Sequence, residues 1–335
     1  MKYISFTAPN TVELLEEPIP KVTDDSIIVK LLRSSISAGT ERANLTGSDT
    51  VDCSRPPRVK FPRRSGYSST AIVTEVGKNV SDVAVGQRVA CSWSTHSQYC
   101  RIRRNCYYPI DEALSEEAGA LVHIATFPLA AIRKCRLEVG ESAMVMGLGV
   151  LGLIAIELLR VAGAAPIIAV DPVKSKRELA LTLGADFAFD PFDEKFAENV
   201  KRVTGSGVNA AIEVTGKGQG LDMALDCMAR FGRVALLGCT RSSDFSIDYY
   251  RKVHGPGITL IGAHTNARPA HDSSDGWWTE KDDANAIIKL IKYGRLNLER
   301  LVEEVHSPAE CRAVYERLIN EPSFPVVQFD WTMLE

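Results

Sequence analysis

Three glycines with the spacing G-x-G-x-x-G have the residue type and pattern that bind a dinucleotide. The apolar run Ala143–Met146 precedes them, and a helical pattern, Leu153–Ala162, follows them. In such a strand, turn and helix, Gly147 permits the tight turn, Gly149 lets a pyrophosphate approach the backbone, and Gly152 lets the helix pack closely on the sheet.

The start of the helix would supply the phosphate contacts. Val150 and Leu151 lie between Gly149 and Gly152, just before the helical pattern, so we expect their backbone N–H groups and the positive end of the helix dipole to be available to an anion. Glycines with this spacing can also be plain turn and packing residues. The strand before them and the helix after them favour dinucleotide binding.

An acidic residue follows at the distance that ribose recognition requires. Asp171 ends the next apolar run and lies 19 residues past Gly152, near the roughly 20 expected for a carboxylate that binds a ribose 2′-hydroxyl. A 2′-phosphate beside a carboxylate would be repelled, so the sequence favours NAD over NADP. Lys174, Lys176 and Arg177 could offset that preference, but we interpret them as the solvated first turn of the next helix.

Strand-like and helical patterns continue to alternate after Asp171, which predicts an α/β protein with a doubly wound parallel sheet. Ligands bind such sheets at the carboxyl ends of the strands. On one shared edge, beside the glycine turn and Asp171, we therefore expect Thr215, Gly216, Gly238 and His264.

Composition limits the class of protein. The chain has 335 residues, is 45% hydrophobic and 24% charged, and has a net charge of −3; these values predict two domains and favour neither nucleic acid nor membrane as a partner. No apolar run reaches the roughly 18 residues that a membrane helix needs. The first residues show no signal-peptide pattern, so a cytoplasmic location is expected. The eight scattered cysteines then indicate free thiols.

The two ends of the chain differ from its middle. Residues 1 to about 115 have short alternating runs separated by Gly, Pro and Asp turns, which predicts mostly β structure. Ser115 can cap a helical stretch that we expect to continue through Arg136. A short strand at Pro325–Phe329 ends the chain, and we expect it to return to the N-terminal lobe.

This arrangement inserts one domain into the other. We expect a domain made of residues 1–118 and completed by 295–335, and a dinucleotide-binding domain at residues 119–294.

The sequence resembles the medium-chain dehydrogenase/reductase superfamily over essentially its whole length. The segments that carry the resemblance are residues 38–41 (AGTE), 66–89, 147–152 and 213–216 (EVTG). The resemblance implies a GroES-like β-rich catalytic domain and a Rossmann domain. Ser37–Arg42 and Gly66–Ser69 are similar to a branch that includes hydroxyethyl-bacteriochlorophyllide dehydrogenase.

The zinc-containing members of the family differ from this chain at their ligands. Where they have Cys, His and a later Cys or Asp, the present sequence has Ala38, Tyr67 and Val122. Alanine and valine cannot ligate zinc. A structural zinc lobe needs four closely spaced cysteines, and Cys91, Cys100 and Cys106 are only three with wide spacing, so we interpret them as ordinary thiols. A metal-free enzyme is the expectation.

Without a metal, side chains must handle the proton and the oxygen of the substrate. Tyr67 could donate to a carbonyl or accept a proton, or it could only pack. Thr40 could relay a proton, as the matching hydroxyl does in zinc relatives, or cap a helix that starts near Glu41. Glu41 could be a general base or form an ion pair with Arg42, and the ion pair is favoured. His123 could titrate usefully, but a satisfied core histidine is the preferred interpretation.

Three further features lie outside that set. The basic loop Arg55–Arg64 could attract an anionic substrate, but we interpret it as a solvated lip. Trp277 and Trp278 could stack on a sugar or be buried between the lobes. His264, besides its place at the cofactor edge, could contact the substrate.

The sequence therefore predicts a zinc-independent, NAD-dependent oxidoreductase that acts on a small molecule with a secondary hydroxyl or ketone, such as a sugar or polyol. An enone or quinone reductase is the alternative within the family, although such relatives tend to use NADPH. A non-catalytic NAD-binding protein is the alternative of another class. The resemblance implies a homodimer or homotetramer formed through the edge strand of the Rossmann sheet.

Overall fold

The computed structural model describes residues 1–48, 60–240 and 245–334. The chain forms two compact units, one made of Met1–Ile124 with Ala284–Glu335 and the other of Ala125–Asp283. Residues 119–124 and 284–294, which we expected in the second domain, thus belong to the first unit. The reason is visible at Ala120, whose carbonyl oxygen accepts hydrogen bonds from Ser35 and Ser68 of the first unit's sheet.

The first unit is mostly β structure, as predicted. Its strands are β1 Lys2–Ala8, β2 Thr11–Glu16, β3 Ser26–Ser35, β4 Arg63–Arg64, β5 Ser68–Val76, β6 Arg88–Ser92, β7 Tyr99–Arg103 and β8 Tyr107–Pro109. Its helices before the second unit are α1 Ala38–Thr46, α2 Glu116–Gly119 and α3 Val122–Lys134, of which α3 continues into the second unit.

Strand β3 organises the first unit. It pairs with β5 along most of one edge and with β7 over Ser26–Lys30 of the other. Its alternate residues Val29 and Leu31 are completely buried in the core with Val89 of β6. A separate small sheet has the order β2-β1-β4. The alternation of apolar residues in the sequence produces this half-buried pleated surface.

The predicted continuous helix from Ser115 is in fact two helices. Ser115 caps α2 by accepting a hydrogen bond from the N–H of Ala118 at 3.2 Å. The helix then breaks, and the carbonyl of Ala120 is directed to Ser35 (2.9 Å) and Ser68 (2.7 Å). These side-chain hydroxyls replace the helical hydrogen bond, so α3 begins anew at Val122.

The second unit is a six-stranded parallel sheet with helices between its strands. In chain order its elements are β9 Ala143–Met146, α4 Val150–Ala162, β10 Ile167–Val170, α5 Lys174–Leu183, β11 Phe187–Phe189, α6 Phe196–Thr204, β12 Val208–Glu213, α7 Gly218–Asp226, β13 Met228–Leu236 and β14 Thr259–Gly262. A π-helix at Tyr250–His254 precedes β14.

The strand order β11-β10-β9-β12-β13-β14 is that of a Rossmann fold. Counted from β9 as the first strand, it reads 3-2-1-4-5-6, and the order reverses between β9 and β12. The predicted α/β class, with a GroES-like lobe and a doubly wound parallel sheet, is confirmed.

The chain then returns to the first unit. Helix α8 (Glu280–Lys292) is followed by β15 Glu304–His306, α9 Cys311–Asn320 and β16 Val327–Asp330. Strand β16 pairs antiparallel with β3, with Gln328 opposite Ser35, which confirms the predicted return of the last strand. A capping box at Ser307 and Glu310 precedes α9.

The described residues bear on two expectations, one about membrane-spanning helices and one about the cysteines. None of the helices in these residues combines the length and the apolar character needed to cross a membrane. The seven cysteines within the described ranges form no disulfide.

Candidate active site

The carboxyl ends of the parallel strands meet at one edge of the six-stranded sheet. Gly147 follows β9, Asp171 follows β10, Thr215 and Gly216 follow β12, Gly238 follows β13, and His264 follows β14. The structure therefore places these sequence-predicted residues on a shared edge, and the glycine turn lies where the strand order reverses. This is the position at which Rossmann folds bind dinucleotides.

The glycine turn has the geometry of a phosphate site. Gly147 has a φ of +99°, which favours glycine, and a Cβ on Gly152 would lie 2.0 Å from the carbonyl oxygen of Gly147. Gly149 is the N-cap of α4 and has no capping side chain. A Cβ on Gly149 would meet nothing within 4 Å, so the space in front of the N–H groups of Val150 and Leu151 is open. The turn fits a pyrophosphate.

Asp171 closes this turn from the next strand. Its Oδ2 accepts a hydrogen bond from the N–H of Leu148 (2.9 Å), and its Oδ1 accepts one from the N–H of Val173 (2.8 Å). The side chain is 8% exposed, and each oxygen has a remaining lone pair for a ribose hydroxyl. Asp171 thus has a second task, holding the glycine turn, that spacing alone did not indicate.

Arg177 is not simply a solvated residue, contrary to our interpretation. Its Nη1 donates to the backbone oxygens of Asp171 and Pro172 and lies 3.1 Å from Oδ2 of Asp190. The guanidinium is therefore held at the end of β10 and is paired with a carboxylate. Lys174 is exposed on the first turn of α5, as expected.

Glu213 shapes the loop after β12, and sequence reasoning did not single it out as a site residue. Its Oε1 accepts hydrogen bonds from the N–H and the hydroxyl of Thr215, and its Oε2 accepts one from the N–H of Gly216 (3.2 Å). Burial raises the pKa of this carboxyl, and the hydrogen bonds from Thr215 and Gly216 partly offset the rise. A Cβ on Gly147 would lie 3.0 Å from the methyl group of Thr215, so this loop packs directly on the glycine turn.

The last two strands complete the edge. A Cβ on Gly238 would lie 2.3 Å from the nitrogen of Gly216, so these two glycines permit a close backbone approach. Nδ1 of His264 accepts a hydrogen bond from the N–H of Asn266 at 3.2 Å. This bond orients the His264 ring at the end of β14.

The first unit contains the four residues predicted to act on the substrate. Thr40 is the third residue of α1 and is half-buried. The N-cap of α1 is Ser37, so the helix begins earlier than near Glu41, and Thr40 does not cap it. Its hydroxyl is not required by the helix start and remains a candidate for a proton relay.

Tyr67, Trp93 and His123 form an aromatic group in the first unit. The Tyr67 and His123 rings meet edge-on at 5.6 Å, and Trp93 lies 4.9 Å from His123 and 6.2 Å from Tyr67 between ring centroids. His123 is 1% exposed, whereas Trp93 is 43% exposed. Trp93 was missed because a tryptophan after a strand carries no motif. Its φ of +58° is unusual for a bulky residue, and its N–H donates to the carbonyl of Tyr67 (2.8 Å).

The expected ion pair between Glu41 and Arg42 is wrong. The Arg42 side chain donates to the carbonyl oxygens of Leu318 (2.8 Å) and Glu321 (3.3 Å). Glu41 points inward instead, is 1% exposed, and accepts a hydrogen bond from the N–H of Ser37 at 2.9 Å. A carboxylate buried to this extent does not reach a substrate as a general base.

Glu41 lies in a buried polar cluster with His96, Ser65 and Tyr315. Nε2 of His96 is 3.1 Å from Oε2 of Glu41, Ser65 donates to the same oxygen at 2.7 Å, and the Tyr315 hydroxyl donates to it as well. Burial alone raises the pKa of Glu41, but its attraction to His96 and the hydrogen bonds from His96, Tyr315 and Ser37 bring this pKa below its ordinary value. Burial and the neighbouring Glu41 raise the pKa of Tyr315 well above its ordinary value.

Comparison with known proteins agrees with this geometry. Residues 35–153 match the alcohol dehydrogenase GroES-like domain, and residues 150–275 match the zinc-binding dehydrogenase model, so the two models together span more than two thirds of the chain. The chain belongs to the medium-chain dehydrogenase/reductase superfamily.

The curated and solved relatives of this dehydrogenase are distant but nearly full-length. The D-guloside 3-dehydrogenase of Escherichia coli K12 is 24% identical over 341 aligned residues, which cover 96% of this chain and 97% of that protein. A short chain alcohol dehydrogenase from E. coli CFT073, solved with NADH, has a TM-score of 0.84 at 17% identity, with 99% of each chain covered. A protein from Sinorhizobium meliloti 1021, solved with NADP, has a TM-score of 0.81 at 19% identity, with 98% of each chain covered. The prediction of an enzyme of the medium-chain alcohol dehydrogenase type is confirmed.

The residues of this dehydrogenase do not fit the catalytic zinc of its relatives. Ala38 and Val122, the first residues of α1 and α3, have hydrocarbon side chains and cannot ligate a metal. Tyr67, at the position of the ligand histidine, contacts the rings of Trp93 and His123 and has a phenol, which is not among the usual zinc donors. Within the described ranges, no group of three or more His, Cys, Asp or Glu side chains could hold a metal ion.

The basic loop lies only partly within the described residues. Arg55 and Arg58 lie outside the described residues, but Arg64 pairs with Glu17 and stacks 4.2 Å above the Tyr3 ring, so this arginine is not a free solvated lip.

In the second unit, the two tryptophans pack on cationic side chains. Arg133 lies 3.5 Å over the Trp278 ring, and Nζ of Lys134 lies 4.7 Å over the Trp277 ring. Cation–π contacts therefore fix both tryptophans within this unit.

Proposed function

We propose that this dehydrogenase is a zinc-independent, NAD-dependent oxidoreductase that interconverts a secondary alcohol and a ketone, on a sugar or polyol. The observation that carries the proposal is the Asp171 carboxylate, which lies on the carboxyl edge of a Rossmann sheet and is bonded to the turn at Leu148. The substrate is a small molecule, and a cytoplasmic location fits the composition of the chain.

Oxidation of a secondary alcohol removes a hydride from carbon and a proton from oxygen. Bound NAD would accept the hydride, and the protein must handle the proton. The resemblance matches Thr40 to the hydroxyl that relays the proton in zinc relatives, and it aligns Tyr67 with a ligand histidine, so we assign the proton to these two protic groups. A phenol can donate to the carbonyl oxygen of a ketone in reduction and receive the proton back in oxidation.

The side chains at two of the family's zinc-ligand positions support the proposal. Ala38 and Val122 take the positions of two ligands, and neither side chain has a donor atom. Hydrogen bonding to the substrate oxygen from Tyr67 is the stabilisation that this chain offers in place of a Lewis acid.

The preference for NAD rests on charge. A 2′-phosphate would lie beside the Asp171 carboxylate and be repelled by it, which disfavours NADP. Of the three cations that could offset this repulsion, Arg177 is paired with Asp190 at 3.1 Å and Lys174 with Glu178 at 3.6 Å.

A sugar or polyol substrate is supported by two observations. The curated relative named D-guloside 3-dehydrogenase aligns over nearly the whole chain. The 43% exposed Trp93 ring beside Tyr67 offers a flat apolar surface on which the C–H face of a sugar ring could pack next to hydroxyl groups.

Assembly as a homodimer or homotetramer is part of this proposal. Strand β14 is at one end of the six-stranded sheet and pairs with β13 on its inner side. Its residues Leu260 and Ile261 are only half-buried, and an antiparallel partner strand would satisfy its outer edge. Light scattering after gel filtration measures the number of copies directly.

A substrate screen tests the function. The purified enzyme is assayed with sugars, polyols and ketones, with NAD, NADP and their reduced forms, by nicotinamide absorbance, while its metal content is measured by elemental analysis. We expect turnover with NAD and less than a tenth of an equivalent of zinc per chain.

Stoichiometric zinc that is required for turnover contradicts the metal-free mechanism. Turnover of enones or quinones alone with NADPH supports the reductase alternative, and cofactor binding without any turnover supports a non-catalytic role.

A further inference from the structure

Trp331, Ser34, His96 and Glu41 form a continuous chain of hydrogen bonds inside the first unit. Nε1 of Trp331 lies 2.8 Å from Oγ of Ser34, which in turn lies 2.7 Å from Nδ1 of His96. An indole N–H can only donate, so Ser34 accepts there and has its single proton available for His96. The Glu41 carboxylate can only accept, so Nε2 of His96, which lies 3.1 Å away, donates to it.

The carboxylate at the end of this chain is fully satisfied. It accepts from the N–H of Ser37 (2.9 Å), the hydroxyls of Ser65 (2.7 Å) and Tyr315, and Nε2 of His96. A carboxylate has about four acceptor positions. A buried polar cluster stabilises one specific fold only when its members are hydrogen-bonded in this way. It then fixes one arrangement of the elements that supply the donors.

Those elements carry the candidate proton-transfer groups. Ser37 is the N-cap of α1, and Thr40 follows in the first turn of that helix. Ser65 lies two residues before Tyr67, and its carbonyl accepts a hydrogen bond from the N–H of His96 (2.9 Å). The carboxylate of Glu41 therefore links the start of the Thr40 helix to the segment that leads to Tyr67.

The ring of His96 also supports this segment sterically. Gly66 has a φ of +88°, and a Cβ there would lie 2.8 Å from Cδ2 of His96. The backbone just before Tyr67 thus rests on the imidazole, whose other edge meets the Phe329 ring at 5.4 Å between centroids. A shift of the ring would be transmitted to Tyr67.

We propose that Glu41 and His96 are positioning residues, which orient Thr40 and Tyr67 for proton transfer without touching the substrate. The proposal rests on the proposed function. It replaces the general-base role that the sequence suggested for Glu41, and it gives a role to His96, which no motif indicated.

The central test is Glu41→Gln, because the amide nitrogen cannot accept from the donors that now surround the carboxylate. We expect kcat to fall about 10- to 100-fold, with the Kd for NAD unchanged because the Rossmann unit is intact. Glu41→Asp keeps the charge and should restore part of kcat. Tyr315→Phe removes one of the four donors and serves where the glutamine variant folds poorly.

The matched control is Tyr107→Phe, which removes a partly buried tyrosine–carboxylate hydrogen bond of the same unit, from Tyr107 to Asp82 (2.7 Å). It should lower the melting temperature without changing kcat. Nitrogen-15 NMR of the histidine rings is an independent readout, since it needs no substrate. It should show a protonated Nε2 of His96 in the wild type and a changed Nε2 signal in Glu41→Gln.

The outcomes are distinguishable. If the wild type turns over and both Glu41→Gln and Tyr315→Phe match Tyr107→Phe in kcat, the positioning role is wrong and the proposed function stands. A His96 ring without a proton on Nε2 also contradicts the proposal. If the wild type turns over no alcohol or ketone, the proposed function fails and the positioning role fails with it.

Discussion

The carboxylate of Asp171 accepts a hydrogen bond at 2.9 Å from the N–H of Leu148, the residue between the first two glycines of the turn. One side chain therefore fixes the glycine turn and, in the proposed function, would also bind the ribose. We accordingly predict that cofactor choice and turn geometry are coupled in this protein.

Asp171→Asn tests this coupling. The amide has one oxygen, so its NH2 group must face either Leu148 or Val173, both of which are donors. We expect the Kd for NAD to rise about tenfold or more, because charge-assisted hydrogen bonds are lost, and the ratio of NADP to NAD affinity to increase. Isothermal titration calorimetry with NAD and with NADP measures both. Asp186→Asn is the control, since Asp186 caps Ile167 at the other end of β10 (2.7 Å) and should leave both affinities unchanged.

Two glycines of the same turn should respond in opposite ways. A Cβ at Gly149 meets nothing within 4 Å, so Gly149→Ala should keep the melting temperature and weaken NAD binding by occupying the space of the pyrophosphate. A Cβ at Gly152 would be 2.0 Å from the Gly147 oxygen, so Gly152→Ala should destabilise the fold by about 1–3 kcal/mol. Thermal unfolding and titration of both variants check this, and equal melting temperatures for the two would contradict it.

Tyr67→Phe removes the hydroxyl group and keeps the aromatic ring. Phenylalanine can keep the edge-on contact with His123 and the contact with Trp93, so the fold should be retained. Loss of the proton-transfer group should lower kcat about 10²- to 10⁴-fold with little effect on the Kd for NAD. Tyr99→Phe on strand β7 is the matched control. Wild-type turnover in Tyr67→Phe would remove this residue from the mechanism.

The Glu304 carboxylate should stabilise the fold at neutral pH, and this stabilisation should be lost in acid. Hydrogen bonds from Arg317 outweigh partial burial and, with His306, lower the pKa of Glu304 from 4.5 to about 2. A carboxyl with a lowered folded-state pKa stabilises the fold above pH 4.5, and this stabilisation is lost as the pH falls toward 2.

Glu304→Gln should therefore be less stable than the wild type at pH 7, by about 1 kcal/mol or less because the pair is partly exposed. The difference should shrink toward pH 2. Urea unfolding at several pH values measures it, with the exposed Glu316→Gln as the control that shows no such trend. A difference independent of pH would assign the effect to packing.

The sequence predicted what depends on neighbours along the chain. The glycine turn, Asp171 and the strand ends of the second unit follow from local patterns, and the carboxyl edge then follows from the rule for parallel sheets. The cap at Ser115 is equally local.

What the sequence missed depends on contacts distant along the chain. The helix after Ser115 breaks at Ala120 because Ser35 and Ser68 take its carbonyl, and nothing near residue 120 signals this. Glu41 turns away from Arg42 toward His96 and Tyr315, which are 55 and 274 residues away. The pairing of buried polar groups is decided by the assembled fold, so the residue adjacent in sequence was a poor guide.

The pairing of β16 with β3 has a consequence for biosynthesis. Residues 33–35 of β3 leave the ribosome almost 300 residues before Gln328 and its neighbours arrive to pair with them. Until then, this stretch of β3 exposes unsatisfied backbone groups, while the continuous chain of the second unit can already fold. A nascent chain stalled before residue 327 should consequently recruit chaperones through this open edge.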